Sequence, residues 1–402
     1  MNVLFLTIGR FDSIEFHGIY PDLLRCFVRD GHHVYTVSSY EKRLGKPTEL
    51  VRDKNCSSLH VKTGNLTGCG MIEKGISTVM IGRQYSQSIK KYLSGIPFDL
   101  IIYSTPPITL ASVVKKTKKA TGAETLLLLK DIFPQNAADI GLMSKTGAKS
   151  FLYKHFRSQE KKLYALSDHI GCMSPANVEY LLKHNPEVQK QSVFVSPNSL
   201  EPREFSFTEE EKQNIRKKYG MPANKKIFVY GGNLGKPQGI PFLIECLKRE
   251  KDNAEAFFLL VGSGTEFSAL ESFIQSEGLK NVRLISSLPK DEYDAMLAAC
   301  DIGLIFLDHR FTIPNFPSRL LTYMQAGLPV LACTDPNTDL GRIICENGFG
   351  WWCESTSAES FHKLVEKALS ENTAQTGEKA RRYLLENFTA EKQYRDIMRR
   401  IK

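Results

Sequence analysis

The stretch FPSRLLTYMQAGLPVLA, residues 316–332, shows the unit from which the fold is built. Pro317 and Ser318 are residue types that start helices, because proline fits the first turn and serine can cap free backbone N–H groups. The leucines and methionine that follow lie at helical spacing, Gly327 ends the helix, and PVLAC predicts a buried strand. A helix N-terminus with Arg319 beside it suits an anionic ligand, although capping alone explains the same residues.

The same alternation of helix and strand extends outward through the whole chain. In the second half, KKIFVYGG, AFFLLVGSG, NVRLIS and DIGLIFL are apolar, β-rich runs separated by helical segments. In the first half, NVLFLTI, HVYTVSS, FDLIIYST, ETLLLLKD, HIGCMS and VFVSPN repeat the pattern, and residues 40–75 are expected to be irregular with short strands. Such runs imply parallel sheets covered on both faces. The sequence therefore predicts the α/β class, with two Rossmann-like, doubly wound domains facing a central cleft.

The length of the chain also predicts two domains, because 402 residues exceed one ordinary core. The polar stretch NSLEPREFSFTEEE is interpreted as the linker between them. We predict an N-terminal domain over residues 1–200, a C-terminal domain over 201–385, and a C-terminal helix over 386–402 that could return to the N-terminal domain. Ligands of open α/β sheets bind beyond the carboxyl ends of the strands, so the loops that follow strands are where chemistry is expected.

The composition is that of a soluble globular protein, with 42% hydrophobic and 24% charged residues. Nine cysteines without a C-x-x-C pair predict reduced thiols and a cytoplasmic setting. MNVLFLTIG runs straight into a strand without a basic segment, so no signal peptide is expected. No apolar run approaches the roughly 18 residues that span a bilayer.

The net positive charge of the chain comes entirely from its first half. Residues 1–200 contain 26 Lys and Arg against 16 Asp and Glu, whereas the chain as a whole carries +9. In residues 150–166 apolar side chains interleave with basic ones, and VVKKTKKA adds four lysines. Such surfaces suit anionic lipid headgroups, although solvated helix faces explain them equally well. A nucleic-acid partner is not expected, because no aromatic–basic recognition motif is present.

Glycine-rich turns follow several strands of the second half. VYGGNLGKPQG and LLVGSGTE place glycines after two strands, and LISSLPKDE and FPSR follow two others. Glycines let a ligand approach the backbone closely, and backbone N–H groups with a cation hold phosphate. The pattern favours a nucleotide-diphosphate site. P-loop, G-x-G-x-x-G, H-E-x-x-H and D-x-D motifs are absent from the sequence, so we expect no metal and no other cofactor.

These segments together resemble a known enzyme family. HGIYPDLLRCFVRDGHHVYTVS, LKDIFPQNAADIGLM, EKKLYALSDHIGCMSPANVEYL, VSPNS, YGGNLGKPQG, VGSG and PSRLLTYMQAGLPVLA run through nearly all of the chain in the order found in family four, GT-B-fold glycosyltransferases. The similarity is to the branch that builds capsule, O-antigen and exopolysaccharide, including fucosamine-type transferases. The resemblance implies that the second domain holds a nucleotide-sugar and the first binds the acceptor. It also implies a retaining reaction without a metal ion.

The resemblance assigns a donor site to residues that follow strands or begin helices. The residues expected to bind the donor are Gly18, Gly232, Asn233, Lys236, Gly262, Gly264, Leu288, Ser318, Arg319, Leu320 and Thr322. Leu288 would meet the base through its backbone, and Lys236 and Arg319 are the cations for the diphosphate. Many relatives have two glutamates eight positions apart, of which the second binds the ribose. This chain has Pro314 and Thr322 there, which leaves the ribose contact open.

Three residues of the first half are candidates for catalysis. Lys130 and Asp131 end a strand, and Asp131 could orient the acceptor hydroxyl or accept its proton while Lys130 pairs with it. A helix-capping aspartate in a salt bridge is an equal alternative. His17 could hydrogen-bond a phosphate or a sugar hydroxyl, although a loop histidine is more often incidental. The sequence shows no evident nucleophile.

The function that the sequence favours is transfer of a sugar from a UDP-sugar to a lipid-linked saccharide. The sugar could be an N-acetylated 6-deoxyhexosamine, and the enzyme would be peripheral at the inner face of the cell membrane, in contact with its anionic surface. One alternative is a two-domain UDP-sugar epimerase, which needs no acceptor. The other is a nucleotide-sugar-binding protein without turnover, suggested by Thr322 in place of the usual glutamate.

Overall fold

The computed structural model describes residues 1–9, 11, 13–66, 68–204 and 207–401. They divide into two compact units. The first unit is Met1–Glu201 together with Ala390–Lys402, and the second is Pro202–Thr389.

The first unit is built on an eight-stranded sheet. Its strands are β1 (Asn2–Leu6), β2 (His33–Glu41), β3 (Glu49–Arg52), β4 (Cys56–Thr63), β5 (Leu100–Thr105), β6 (Glu124–Leu129), β7 (His169–Cys172) and β8 (Val193–Val195). Its helices before residue 202 are α1 (Ile19–Arg29), α2 (Met71–Tyr92), α3 (Ala111–Thr121), α4 (Gln135–Asp139), α5 (Ser150–Leu166) and α6 (Pro175–His184). The strand order is β3-β4-β2-β1-β5-β6-β7-β8, and every pair is parallel except β3 with β4. The order reverses at β1, which is the point where open sheets bind ligands.

The segment 40–75 is more regular than the sequence predicts. It contains the eight-residue strand β4, and α2 begins at its end and runs for 22 residues. The sequence CSSLHVKT hides this strand because its buried positions are polar. Those side chains bond to the neighbouring strand instead of to water: Thr36 donates to Ser58 at 2.9 Å, and the Ser38 hydroxyl lies 3.0 Å from His60 Nδ1. Cross-strand pairs of this kind satisfy buried polar groups without an apolar pattern.

The second unit has a six-stranded sheet that is parallel throughout. Its strands are β9 (Lys226–Asn233), β10 (Ala256–Ser263), β11 (Val282–Ile285), β12 (Ile302–Phe306), β13 (Val330–Thr334) and β14 (Gly350–Glu354), in the order β11-β10-β9-β12-β13-β14. Its helices are α7 (Glu209–Tyr219), α8 (Ile240–Arg249), α9 (Phe267–Glu277), α10 (Lys290–Leu297), α11 (Arg319–Gln325), α12 (Leu340–Glu346), α13 (Ala358–Ser370) and α14 (Thr373–Asn387). The order reverses at β9, so the loop after β9 lies at the switch point of this sheet.

The last helix, α15 (Ala390–Met398), belongs to the first unit. It packs against α1, with the Tyr394 ring edge-on to Phe27 at 4.7 Å between centroids. The Tyr394 hydroxyl donates to Asp30 and lies 3.2 Å from His32 Nε2. None of the helices that the structure describes combines the length and hydropathy that a bilayer crossing requires.

Candidate functional site

The loops after β9 and β10 interlock at the carboxyl edge of the second sheet. The Leu234 N–H donates to the Ser263 carbonyl at 2.8 Å, and the Glu266 N–H donates to the Leu234 carbonyl at 2.9 Å. A Cβ on Gly262 would lie 1.8 Å from the Gly232 carbonyl oxygen, and one on Gly264 would lie 2.2 Å from that of Leu234. These two glycines are therefore required by the packing of the loops themselves. Any contact that they make with a nucleotide would be additional.

Arg319 faces the loop after β9. Its guanidinium lies over the Tyr230 ring, 4.5 Å from the ring centroid, and its Cζ would be 3.5 Å from a Cβ on Gly232. Gly232 has a φ of 130°, which side chains rarely adopt, so this position stays open beside the guanidinium. Nη1 of Arg319 is buried without a hydrogen-bond partner, and no carboxylate of the described residues pairs with the side chain. The Nη1 group is therefore a charged hydrogen-bond donor that is shielded from water and has no acceptor, which is energetically costly.

A group of tyrosines holds Arg319 and the loop in place. The Tyr323 hydroxyl accepts from the Gly231 N–H at 3.0 Å and donates to the Leu304 carbonyl at 3.1 Å. A Cβ on Gly231 would lie 1.7 Å from the Tyr293 hydroxyl, so the Tyr293 ring fills that space. These tyrosines have no signal in the sequence, because they lie on separate helices and meet the loop only in the folded unit.

The start of α11 differs from the sequence prediction. Ser318 already has helical torsions, with φ of −64° and ψ of −19°, and its side chain makes no capping bond. A capping serine needs extended torsions, so the predicted cap is wrong. The Leu320 N–H bonds to the Pro317 carbonyl at 3.2 Å, and the Leu320 side chain is fully buried. The N–H group and the side chain of Leu320 are therefore both engaged within the unit, and the contact of Leu320 with the donor stays a prediction.

The remaining predicted donor residues lie in loops or on α11. Asn233 is exposed and its amide donates to Gln238 at 3.2 Å. Lys236 is exposed, and within the described ranges its side chain has no ion pair. Leu288 follows β11 in a partly buried position, and Thr322 lies one helical turn beyond Arg319. Among the described residues no hydrogen bond or ion pair joins any two of these four, and their role in donor binding stays a prediction.

A further acidic group lies at the same edge, after β13. Asp335 is fully buried; its Oδ1 accepts the N–H groups of Asn337 at 2.9 Å and Thr338 at 3.2 Å. Its Oδ2 has no partner among the described residues, and burial raises the pKa of Asp335 to about 6. Asp335 does not stand out in the sequence, because TDPNTDL has the composition of an ordinary turn.

In the first unit, Lys130 and Asp131 follow β6 but do not form the expected pair. Lys130 Nζ donates to the Ser196 carbonyl at 3.4 Å, and burial lowers the pKa of Lys130 to about 7. Burial raises the pKa of Asp131 to about 6, and no described cation lies within ion-pair distance of its carboxylate. The pairing is wrong because adjacent residues at the end of a strand point to opposite sides. Asp131 instead lies near Tyr20. The pKa of Tyr20 is raised, mainly by burial; a hydrogen bond with Ser104 opposes this rise and the charge of Asp131 adds to it.

His17 and Gly18 belong to a charged cluster at the start of α1. The Gly18 N–H donates to Asp22 at 3.0 Å, and His17 Nδ1 lies 3.6 Å from the Asp22 carboxylate. His17, Asp22 and Glu201 could together face a metal ion. However, the Arg25 guanidinium donates to Glu201 at 3.0 and 2.8 Å and also bonds to Asp22. Since this guanidinium already occupies the carboxylates, the cluster does not fit a metal ion.

The basic and apolar helix α5 is only partly a surface feature. Phe151 and Leu152 are 70% and 42% exposed, as a membrane-facing stretch requires. Leu163 is fully buried, and Arg157 and Lys161 pair with carboxylates of the same unit at 2.6 and 2.9 Å. The first turn of α5 is therefore open, whereas Leu163 packs into the unit and the charges of Arg157 and Lys161 are compensated.

Comparison with known proteins agrees with this architecture. Residues 211–387 match the family described as glycosyl transferases group 1. A relative named "Probable glycosyltransferase WbjE", from Pseudomonas aeruginosa, is 26% identical over 293 residues, which cover 72% of this chain and 71% of the relative. WcaI of Escherichia coli strain K12, whose name assigns it to colanic acid biosynthesis as a glycosyl transferase, is 25% identical over 67% of this chain and 66% of its own.

A solved structure extends the likeness to the whole chain. HepE of Anabaena, crystallised with UDP, superimposes with a TM-score of 0.68 over 99% of both chains at 14% sequence identity. At that identity the likeness establishes the fold, which is GT-B, and the predicted fold class is confirmed. The prediction of a glycosyltransferase is confirmed by the family match and by the names of the relatives. The chain is therefore a glycosyltransferase of GT-B fold whose residues 211–387 match the family described as glycosyl transferases group 1.

Proposed function

We propose that the protein transfers a sugar from a UDP-sugar to a lipid-linked saccharide during assembly of capsule, O-antigen or exopolysaccharide. The transfer retains the configuration of the sugar and needs no metal ion, and an N-acetylated 6-deoxyhexosamine is the candidate sugar. The enzyme acts in the cytoplasm at the inner face of the membrane. The colanic acid assignment of WcaI and the resemblance to polysaccharide-building transferases support this pathway class.

The observation that carries the proposal is the unpaired, buried Nη1 of Arg319 beside Gly232. A buried cationic donor without an acceptor is costly to a ligand-free protein, and an anionic acceptor removes that cost. A diphosphate supplies such an acceptor, and guanidinium groups bind phosphate oxygens through paired N–H groups. The open position at Gly232 lets the diphosphate approach the backbone, and Lys236 adds a second cation. The complex of HepE with UDP supports uridine as the nucleoside.

In the first unit we assign the acceptor chemistry to Asp131. With a pKa of about 6, its carboxylate is ionised near pH 7.5 and can accept a hydrogen bond, or a proton, from an acceptor hydroxyl. Lys130, with a pKa of about 7, changes charge in the same pH range and thereby alters the electrostatic potential at this strand end. His17 and Gly18 are further candidates for contact with sugar or phosphate oxygens.

Incubation with UDP-sugars, with and without a lipid-linked acceptor fraction, tests the proposal. UDP release that depends on the acceptor supports transfer, acceptor-free isomerisation of the sugar indicates an epimerase, and binding without either reaction indicates a protein without turnover. Nuclear magnetic resonance of the product shows whether the anomeric configuration is retained. Thermal unfolding with UDP, GDP and ADP identifies the base, and equal responses to all three contradict the uridine assignment.

A further inference from the structure

One face of α2 carries exposed apolar residues followed by basic ones. Ile76, Val79 and Met80 are 63%, 75% and 40% exposed. Arg83 and Lys90 continue the same face, because residues spaced by three, four, seven or eleven positions line up along a helix. The apolar and the basic parts of this face therefore lie end to end, and Ile76 and Arg83 are about 10 Å apart along the axis.

The basic part of this face borders a groove of about 590 Å³ between α2 and α3. The helices come close at Gly82, where a Cβ would lie 2.7 Å from the Ser112 hydroxyl. Arg83 and Lys90 line the groove from α2, Lys116 lines it from α3, and Val79 lies at its apolar end.

The groove is positively charged and has no internal counter-charge. Arg83, Lys90 and Lys116 are exposed, and no carboxylate in the described part of the chain pairs with any of them. None of the described lining residues is Asp or Glu. Lys119 at the end of the neighbouring α3 is exposed and adds to the same potential, whereas Lys118 is paired with Asp168 at 2.6 Å. This arrangement contrasts with α5, where Arg157 and Lys161 are neutralised by carboxylates.

We propose that this groove binds the phosphate headgroup of an anionic phospholipid, while the exposed apolar residues of α2 enter the acyl region. A soluble phosphate compound would use only the cations, whereas an amphiphile uses both halves of the face. The charge of the groove is complementary to an anionic headgroup, and the adjoining apolar residues match the lipid chains. Phe151 and Leu152 on α5, which packs against α3, are further exposed apolar residues of the same unit. The inference rests on the proposed function, because a lipid-linked acceptor requires the enzyme at a membrane.

The test is sedimentation of the full chain with vesicles of phosphatidylglycerol and phosphatidylcholine in equal parts, compared with phosphatidylcholine alone. We expect binding to the anionic vesicles at low salt, weakened about 25-fold in the double variant R83A/K116A, because each surface cation is worth about fivefold. The variant V79S should weaken binding to a smaller extent. Lys54, which is exposed in the turn between β3 and β4 and does not line the groove, provides the matched control K54A. All four positions are exposed, and thermal unfolding verifies that the variants fold.

Equal sedimentation of R83A/K116A and wild type overturns the proposal, as does wild-type binding that ignores the anionic lipid. Release of the protein from vesicles by an equimolar amount of soluble glycerol phosphate also overturns it, because the site would then recognise free phosphate. UDP titration by calorimetry separates this inference from the proposed function. If the wild type binds UDP but not the anionic vesicles, only the groove is rejected. If the wild type binds the vesicles but not UDP, only the donor site is rejected.

Discussion

Replacing Arg319 by methionine should abolish most UDP affinity while leaving the ligand-free protein at least as stable as wild type. Methionine fills similar space and keeps contact with the Tyr230 ring, but it removes the charge. Folding loses the attraction between guanidinium and ring, worth about 1 kcal/mol. It gains relief of the unpaired buried Nη1, worth about 1–3 kcal/mol. The free energy of unfolding should therefore change by between zero and a gain of about 2 kcal/mol.

Donor binding should respond in the opposite direction. Hydrogen bonds to a charged group are worth about 1.5–3 kcal/mol, so the Kd for UDP should rise by about 10- to 150-fold. At a UDP concentration 100 times the wild-type Kd, the ligand stabilises wild type by about 2.7 kcal/mol. With a Kd 100-fold weaker, the same UDP stabilises R319M by only about 0.4 kcal/mol. Urea unfolding with and without UDP measures both quantities in one experiment.

Arg216 supplies the matched control in the same unit. Its guanidinium bonds to Asp301 at 2.8 Å and to the Ala299 carbonyl at 2.9 Å, so it is a paired arginine. R216M should lower the free energy of unfolding by about 1–3 kcal/mol and leave UDP affinity unchanged. If R319M instead behaves like R216M, with lower stability and wild-type UDP affinity, Arg319 has a structural role and the donor-site argument is refuted.

Three further predictions concern burial at the strand ends. Burial raises the pKa of Asp131 to about 6. The favourable contribution of this carboxyl group to folding stability therefore exists at low pH and is lost as the pH rises through 6. In urea unfolding, D131N should stabilise the protein by up to about 3 kcal/mol at pH 8 and very little at pH 4. A gain that is equal at both pH values contradicts the buried carboxylate. Burial lowers the pKa of Lys130 to about 7, so the stability of the wild type should rise between pH 7 and 10. The free energy of unfolding gained by K130M should therefore be about 2–3 kcal/mol smaller at pH 9 than at pH 6. G262A places a Cβ against the Gly232 carbonyl and should cost about 1–3 kcal/mol and weaken UDP binding; a loss below about 0.5 kcal/mol would show that the loops can separate freely.

Much of the fold could be read from local patterns. The apolar runs of the second half correspond to β9 to β13, because a parallel strand covered on both faces needs continuous hydrophobic residues. The interpretation fails at β4, where serines and a histidine are buried and satisfied by β2. It also overlooks α2, whose exposed face carries Ile76 and Val79 and therefore lacks a simple apolar stripe. Both misses occur where the burial of a residue depends on its neighbours rather than on its own polarity.

The candidate donor site divides in the same way. The glycines after β9 and β10 are visible in the sequence because sharp turns leave a local signature. The sequence suggests a serine cap at Ser318, but the torsions of the folded chain exclude it. The Gly231 N–H meets the Tyr323 hydroxyl across 92 positions of sequence, and no local pattern can reveal such a contact.

By itself the sequence determined the two α/β halves, the glycine turns after the strands and the presence of a cation beside them, because periodicity and turn chemistry are local properties. Only the tertiary structure decided that Nη1 of Arg319 is buried without a counter-charge, that Lys130 and Asp131 do not pair, and that the cations of α2 and α3 share a groove. Each of these depends on which distant groups remove water from a side chain or supply its partner. Desolvation and pairing are properties of the packed chain, and they decide which of the residues visible in the sequence can do chemistry.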